Sequence, residues 1–564
     1  MKNFSYLFMA GLMTLGLWSC SDDADITAGG ENEISADKVY MSFKLELPTA
    51  GRSATDDGSG ETNSNQTTDA EVGSTEENAV KRLDVVLATQ SSTNPPTYKY
   101  VTKAQNGFEN PSNDGGVYKV TFQSEDLEKV AGTKIAVFVF CNYPSSTNYQ
   151  EIIDNGVSAN PDLGLAWNSS TGFWMSNASI TINNLATFND LKTYNTIDNA
   201  YDLGSVSVER SVARFDYKSN NTDDLYTLET DDSSNPSIQV KLTDLALVNM
   251  SNQFHYLRRV ADATSGVSNY SNPTICGKET PTNYVIDSDA AAKNSSKYLP
   301  SNFANYWSLG TDGVTNDNVA NYSINFATLW PELTDALSIT TINSNSEDNA
   351  EWTDEAGYHV WRYATENTLP SIASQIKSLS TGVIFRGELI DCATQPTLKR
   401  LDGTNKVYVH NNVLYGSWEK VKDIVAGITD GETDAKLLAL KAAVNVTTVV
   451  APATEPTLEE AASKGFTVYT PEGADNKYYV YYYYMNRHND NGNSEEMGPM
   501  EFAVVRNNVY KLAVTSISQY GHPGDPAGDP DPETPTDPDE EKNVYFTVSV
   551  KVLPWVVRVN NIEF

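Results

Sequence analysis

Residues 543–552 read NVYFTVSVKV, with Val544, Phe546, Val548, Val550 and Val552 alternating against Tyr545, Thr547, Ser549 and Lys551. That period of two is the mark of a β-strand with one buried face. The strand closes the chain behind an acidic, proline-rich stretch, GHPGDPAGDPDPETPTDPDEEK (521–542). No further strand follows to pair with it. It therefore pairs either back across its linker or with another molecule.

The same spacing occurs once near the other end. In VYMSFKLELP (39–48), Val39, Met41, Phe43, Leu45 and Leu47 form one face, and Pro48 ends the run. Further strands are predicted at VKRLDVVLAT (80–89), VYKVTFQ (117–123) and KIAVFVFCN (134–142), separated by Gly, Asn, Pro and Ser clusters. A new alternation begins with LGSVSVERSVARFDYKS (203–219) and continues through SIQVKLTDLALVNMS (237–251). KYYVYYYYMNR (477–487) and MEFAVVRNNVYKLAVTSIS (500–518) read as consecutive antiparallel strands, with Asn491-Gly492 at the hairpin tip. Short helices are predicted at 417–425, 434–444 and 457–465, the last opened by a Thr457/Glu460 capping box. The middle, from Asn269 to Asn349, has little periodicity.

With 564 residues, 31 of them Tyr, the chain has length for two or three β-rich domains. Its formal net charge of -35 repels nucleic-acid phosphates and anionic lipid, so nucleic acid is excluded as a partner. The N-terminus carries one Lys and an apolar run from Phe4 to Leu17, an export signal too short to span a bilayer. Leu17-Trp18-Ser19-Cys20 resembles a bacterial lipobox, which makes Cys20 the candidate lipidated residue, and Asp22-Asp23 resembles an outer-membrane export tract. The stretch from Thr49 to Asn78 has almost nothing to bury and is expected to be disordered. Arg52 is its basic residue, and the next is Lys81.

Motifs for chemistry are missing. The histidines, His255, His359, His410, His488 and His522, show no paired spacing for zinc, and no GxSxG, phosphate loop or dinucleotide fingerprint occurs. Carboxylate pairs such as Asp287 and Asp289 are ordinary in so acidic a chain. Setting Gly492 at the glycine of a calcium loop puts Arg487 and Gly498 at ligand positions, which fails. The run YYVYYYY (478–484) is expected to send half its tyrosines into the core and half to the surface. Cys141, Cys276 and Cys392 have no CxxC spacing and are expected to be buried thiols. No catalytic residue, metal or cofactor is expected.

Four segments, VERSVARFDY (208–217), TGVIFRGELI (381–390), 500–518 and VSVKVLPW (548–555), resemble the fimbrillins, the type V pilins of Bacteroidetes, and among them the shaft subunits of the short fimbriae of Porphyromonas. The resemblance implies an all-β chain of two transthyretin-like β-sandwich domains with a few short helices, made as an outer-membrane lipoprotein precursor. It implies cleavage by an arginine-specific protease between Arg52 and Ser53, releasing the first strand with Val39, Met41, Phe43, Leu45 and Leu47. The vacated groove then takes a donor strand from another subunit, here Val544, Phe546, Val548, Val550 and Val552, followed past Pro554 by a second apolar set, Trp555, Val557 and Val559. A bend or second short strand is expected at Pro554. Five filled pockets are worth on the order of 8 to 15 kcal/mol gross, at roughly 1.5 to 3 per large side chain.

The expected parts are a signal peptide (1–19), a lipidated propeptide (20–52) holding the removable strand (39–48), a disordered mature N-terminus (53–79), sandwiches over 80–204 and 205–520, a linker (521–543) and the donor segment (544–564). Expected partners are identical subunits in a homopolymer, minor tip and anchor subunits, the protease, and host or bacterial surface receptors, with adhesion and biofilm formation as the role and extracellular fimbriae as the location. A monomeric surface lipoprotein that binds glycans is the alternative.

Overall fold

The computed structural model describes residues 37–46, 71–105, 116–158, 172–264, 267–290, 303–304, 325–344, 357–371, 379–444, 454–489, 497–532 and 546–556, except 74, 144–147, 156, 252, 269, 281–282, 289, 334–335, 370 and 430. Cys20, Leu47, Arg52, Ser53, Asn491-Gly492, Val544, Val557 and Val559 lie outside them, as does the linker from 533.

The fold is mostly strands with a few short helices. The first group comprises β1 (Lys38–Glu46), β2 (Leu83–Gln90), β3 (Tyr98–Lys103), β4 (Val117–Gln123), β5 (Lys134–Cys141), β6 (Met175–Asn177), β7 (Thr181–Asn184) and β8 (Tyr201–Arg210). They pair in the order β3-β2-β5-β6-β8-β1-β4, with β7 beside β5. The path curls over, so that the β8-β1-β4 end shares one core with β2 and β5: Met41, Phe43, Val120 and Phe122 lie with Val85, Leu87, Ile135 and Val137.

The second group comprises β9 (Ala213–Lys218), β10 (Leu225–Thr230), β11 (Pro236–Val248), β12 (His359–Ala364), β13 (Gly382–Asp391), β14 (Tyr479–Met485), β15 (Asn508–Ile517) and β16 (Phe546–Val556). One sheet runs β16-β15-β9-β12, with Glu71–Val72 outside β16, and the facing sheet runs β10-β11-β13-β14. Phe215, Tyr510 and Leu512 from the first meet Val240, Phe385 and Tyr482 from the second in one core. A small sheet, Val407–His410, Val413–Tyr415 and Thr467–Tyr469, carries the helices Trp418–Gly427, Ala435–Val444 and Leu458–Ala462 on a core of its own around Tyr408, Trp418 and Phe466. The capping box forms, Glu460 N–H donating to Thr457 Oγ1 at 3.2 Å and Thr457 N–H to Glu460 Oε2 at 2.9 Å.

Several expectations change. Residues 203–210 belong to the first sheet as β8, and the chain passes to the second group at Ser211-Val212, because the VSVER alternation pairs with β1 and β6. Residues 477–487 and 500–518 are not a hairpin: β14 pairs with β13, while β15 pairs with β9 and β16 in the opposite sheet. MEFAVV is turn and isolated bridge rather than strand, and Asn507 has φ 60 just before β15 begins. The tyrosine run is covered on both faces. Tyr482 lies in the main core, whereas Tyr481 on the other face stacks on Phe326 at 5.1 Å beneath the helix Phe326–Leu329. Cys141 and Cys276 are buried free thiols, pushed far from ionisation by burial, while Cys392 is half-buried.

The two groups meet over buried charge. Arg506 Nη2 donates to Glu366 Oε2 at 2.6 Å and to the His255 carbonyl at 2.7 Å, and both side chains of the pair are at most 1% exposed. Glu209, at the end of β8, pairs with Arg258 at 3.2 Å. Burial pushes the Glu209 carboxyl above its ordinary range, against the pull of Arg258 and Arg506. Removing one partner of a buried pair strands the other. Arg506→Ala is accordingly expected to destabilise the chain by about 3–5 kcal/mol, read as a fall in the denaturant midpoint at unchanged slope.

Candidate strand-exchange site

The first strand is an interior strand. It runs parallel to β8 from Met41↔Tyr201 to Glu46↔Ser207 and antiparallel to β4 from Lys38↔Gln123 to Lys44↔Val117. Backbone groups on both its edges are therefore committed to sheet pairing, as burial in a sheet requires. The turn residues add to this, Leu45 N–H donating to the Gly116 carbonyl at 2.9 Å and Tyr40 N–H to the Tyr194 carbonyl at 2.8 Å. Gly116 has φ +87, and a Cβ there would stand 3.1 Å from the Leu45 carbonyl oxygen, so the close approach selects glycine.

Alternation decides which side chains fill the slot. Val39, Met41 and Phe43 are fully buried and Leu45 is 6% exposed, while Lys44 on the other face is exposed. Phe43 stacks on Tyr118 with ring centroids 5.9 Å apart. Against β8 the register shifts by one residue between Ser42 and Lys44, where β8 has a residue in excess. Gly204 at this shift takes φ +86, its N–H held by Asp202 Oδ1 at 2.8 Å.

The C-terminal strand lies on its own chain. β16 pairs antiparallel with β15 from Ile517↔Phe546 to Asn508↔Pro554, with a register shift between Val514 and Ser516. It runs through Pro554 as one strand, not bent into two. On the side away from β15, the pairing among the described residues is Glu71↔Trp555 and Val72↔Val556. Of the two partners open to it, the single chain thus supplies the first, across the linker.

The linker itself starts later than its composition implies. The backbones of His522 and Tyr481 exchange two hydrogen bonds of 2.9 Å, Tyr469 Oη donates to the Gly521 carbonyl, and His522 Nδ1 meets Asp529 Oδ2 at 2.8 Å, with both side chains buried. Proline and glycine mark an absence of regular structure, but they do not keep a segment off the surface they lie on.

Sequence reasoning missed residues 71–78. This stretch forms the short strand Glu71–Val72 and one helical turn, Thr75–Asn78, with Glu77 2% exposed against Arg214, so the expected disorder over 53–79 does not extend to it. It has no apolar periodicity, and its signal, a carboxylate facing a buried arginine 137 residues on, exists only in three dimensions.

His488 and His522 are fixed by buried partners. His488 sits buried between Glu279 Oε1 at 2.8 Å and Tyr510 Oη at 2.9 Å, and among the described residues no three of His, Cys, Asp and Glu stand where they could hold a metal ion.

Residues 476–561, which include β14, β15 and β16, match the family model described as the major fimbrial subunit protein type IV, fimbrillin, C-terminal. No curated protein sequence matches the chain. Among solved structures it is similar to a candidate cell adhesion protein of Parabacteroides distasonis, at 12% identity and TM-score 0.36 over 92% of this chain and 99% of that one. A fimbrilin of Porphyromonas gingivalis is matched at 13% identity and TM-score 0.34, over 93% and 99%. The tip fimbrial protein of the same organism, with C-terminal truncation, is matched at 10% and 0.30, over 92% and 100%. At these scores the likeness carries no argument about the site. The family match is confined to residues 476–561, the strands around the C-terminal ladder, where the chain is similar to the C-terminal part of the fimbrillins.

Proposed function

We propose that the chain is the polymerising shaft subunit of a short cell-surface fimbria, exported as a precursor lipidated at Cys20 and assembled by strand exchange. The observation that supports this reading best is the position of β1. It is the first strand among the described residues, it precedes Arg52, and it is nevertheless interior to its sheet. Cutting after Arg52 by an arginine-specific protease severs β1 from all that follows. Its departure leaves the edges of β4 and β8 unpaired and opens a slot whose pockets repeat every second residue.

The C-terminal segment has the chemistry to refill that slot. Val544, Phe546, Val548, Val550 and Val552 repeat the spacing of Val39, Met41, Phe43, Leu45 and Leu47, and past Pro554 a second apolar set, Trp555, Val557 and Val559, begins. On its own chain β16 is paired along one edge by β15 and over two residues on the other. In the slot of a neighbouring subunit it gains a ladder on both edges, which gives the exchange a direction. The product is a homopolymer, completed by tip and anchor subunits and serving adhesion to host or bacterial surfaces.

N-terminal sequencing of fibres sheared from cells is expected to begin at Ser53; fibres that retain residues 39–48 rule the mechanism out. Deleting residues 544–564 is expected to abolish the ladder of heat-sensitive oligomers on gels. Phe43→Ala is expected to cost the precursor about 3–5 kcal/mol in a denaturant melt and to leave the melt of assembled fibres unchanged, since β1 is no longer in them.

A further inference from the structure

We infer that residues 71–78 form a clasp, anchored by Glu77, that holds the end of β16 on its own chain until the strand is donated; this rests on the assembly reading above. Two backbone pairs, Glu71↔Trp555 and Val72↔Val556, close the outer edge of β16 at its C-terminal end. On their own, two pairs do not offset the entropy of ordering eight residues. The fixing comes from the next turn of chain.

Glu77 lies on Arg214 of β9 at 3.4 Å and accepts a hydrogen bond from Tyr363 Oη of β12 at 2.6 Å. Its backbone carbonyl accepts from Arg210 Nε at 3.3 Å, Asn78 Oδ1 accepts from Arg210 Nη2, and Asn78 Nδ2 donates back to the Gly73 carbonyl at 2.9 Å. Arg210 and Arg214 are fully buried. Beyond it, the Asn142 side chain bonds the Ala79 carbonyl at 2.8 Å and the Lys81 N–H at 2.7 Å, tying the segment to the first sandwich. Residues 71–81 are thus fastened to both groups of strands, with the leading two on the strand to be given away.

The anchor can be removed without removing its socket. Arg214 keeps a two-pronged pair with Asp216, Nε to Oδ1 at 2.9 Å and Nη2 to Oδ2 at 2.8 Å. Glu77→Ala therefore loosens the segment while leaving Arg214 paired.

The test is hydrogen exchange on the uncleaved, monomeric precursor. Glu77→Ala is expected to speed exchange on the order of 10-fold at Trp555–Val556, falling off toward Phe546, with the β9 amides unchanged. Tyr363→Phe is expected to act in the same direction and less. Wild-type protection of β16 in Glu77→Ala, with amides 71–78 exchanging freely, overturns the clasp. In a second arm, both precursors are cut with an arginine-specific protease and oligomers are followed over time. Faster assembly of Glu77→Ala supports the clasp, and assembly at the wild-type rate from a loosened strand overturns its part in assembly. If neither chain assembles, the assembly reading falls, and the exchange data on the monomer still decide whether Glu77 holds β16.

Discussion

A strand in the middle of a sheet must have its backbone satisfied on both edges, and the first sandwich meets that requirement with a segment from the N-terminal end of the chain. β8 and β4 do not pair with each other; both pair with β1. The core beneath them takes Val39, Met41, Phe43 and Leu45 from the same nine residues. Hydrogen bonds and apolar burial in this part of the sheet therefore depend on one short peptide.

The far end of the chain has the opposite character. β16 is paired along one edge and contributes a ladder that β15 can lose without splitting a sheet in two. The contrast between an interior strand at the beginning and a near-edge strand at the end is a difference in pairing, not in sequence pattern, since both show the same alternation. Buried ion pairs, Arg506 with Glu366 and Glu209 with Arg258, lie near the passage from one group to the other.

Period-two alternation made most of these strands legible, along with the helices over 418–427 and 435–444 and the Thr457/Glu460 cap. Alternation records only which face is buried. It says nothing about which neighbour a strand takes: the alternation runs on from 203–210 into 213–218 although the two pair in different sheets, and 477–487 and 500–518 face each other across a core instead of forming a hairpin. It also fails where a face is covered by irregular chain, as at Tyr481 beneath Phe326, and where a charge is buried, as at Glu77. The fimbrillin resemblance is legible because the C-terminal strands carry dense motif.

The distance along the chain between β1 and its parallel partner has a consequence for the order of folding. Met41 pairs with Tyr201, about 160 residues downstream, so loop closure on that scale must precede the contact that completes the first sandwich. β1 is thus left waiting for a strand made much later. Until about two hundred residues are available, the slot between β4 and β8 cannot form, and β1 has no sheet to enter.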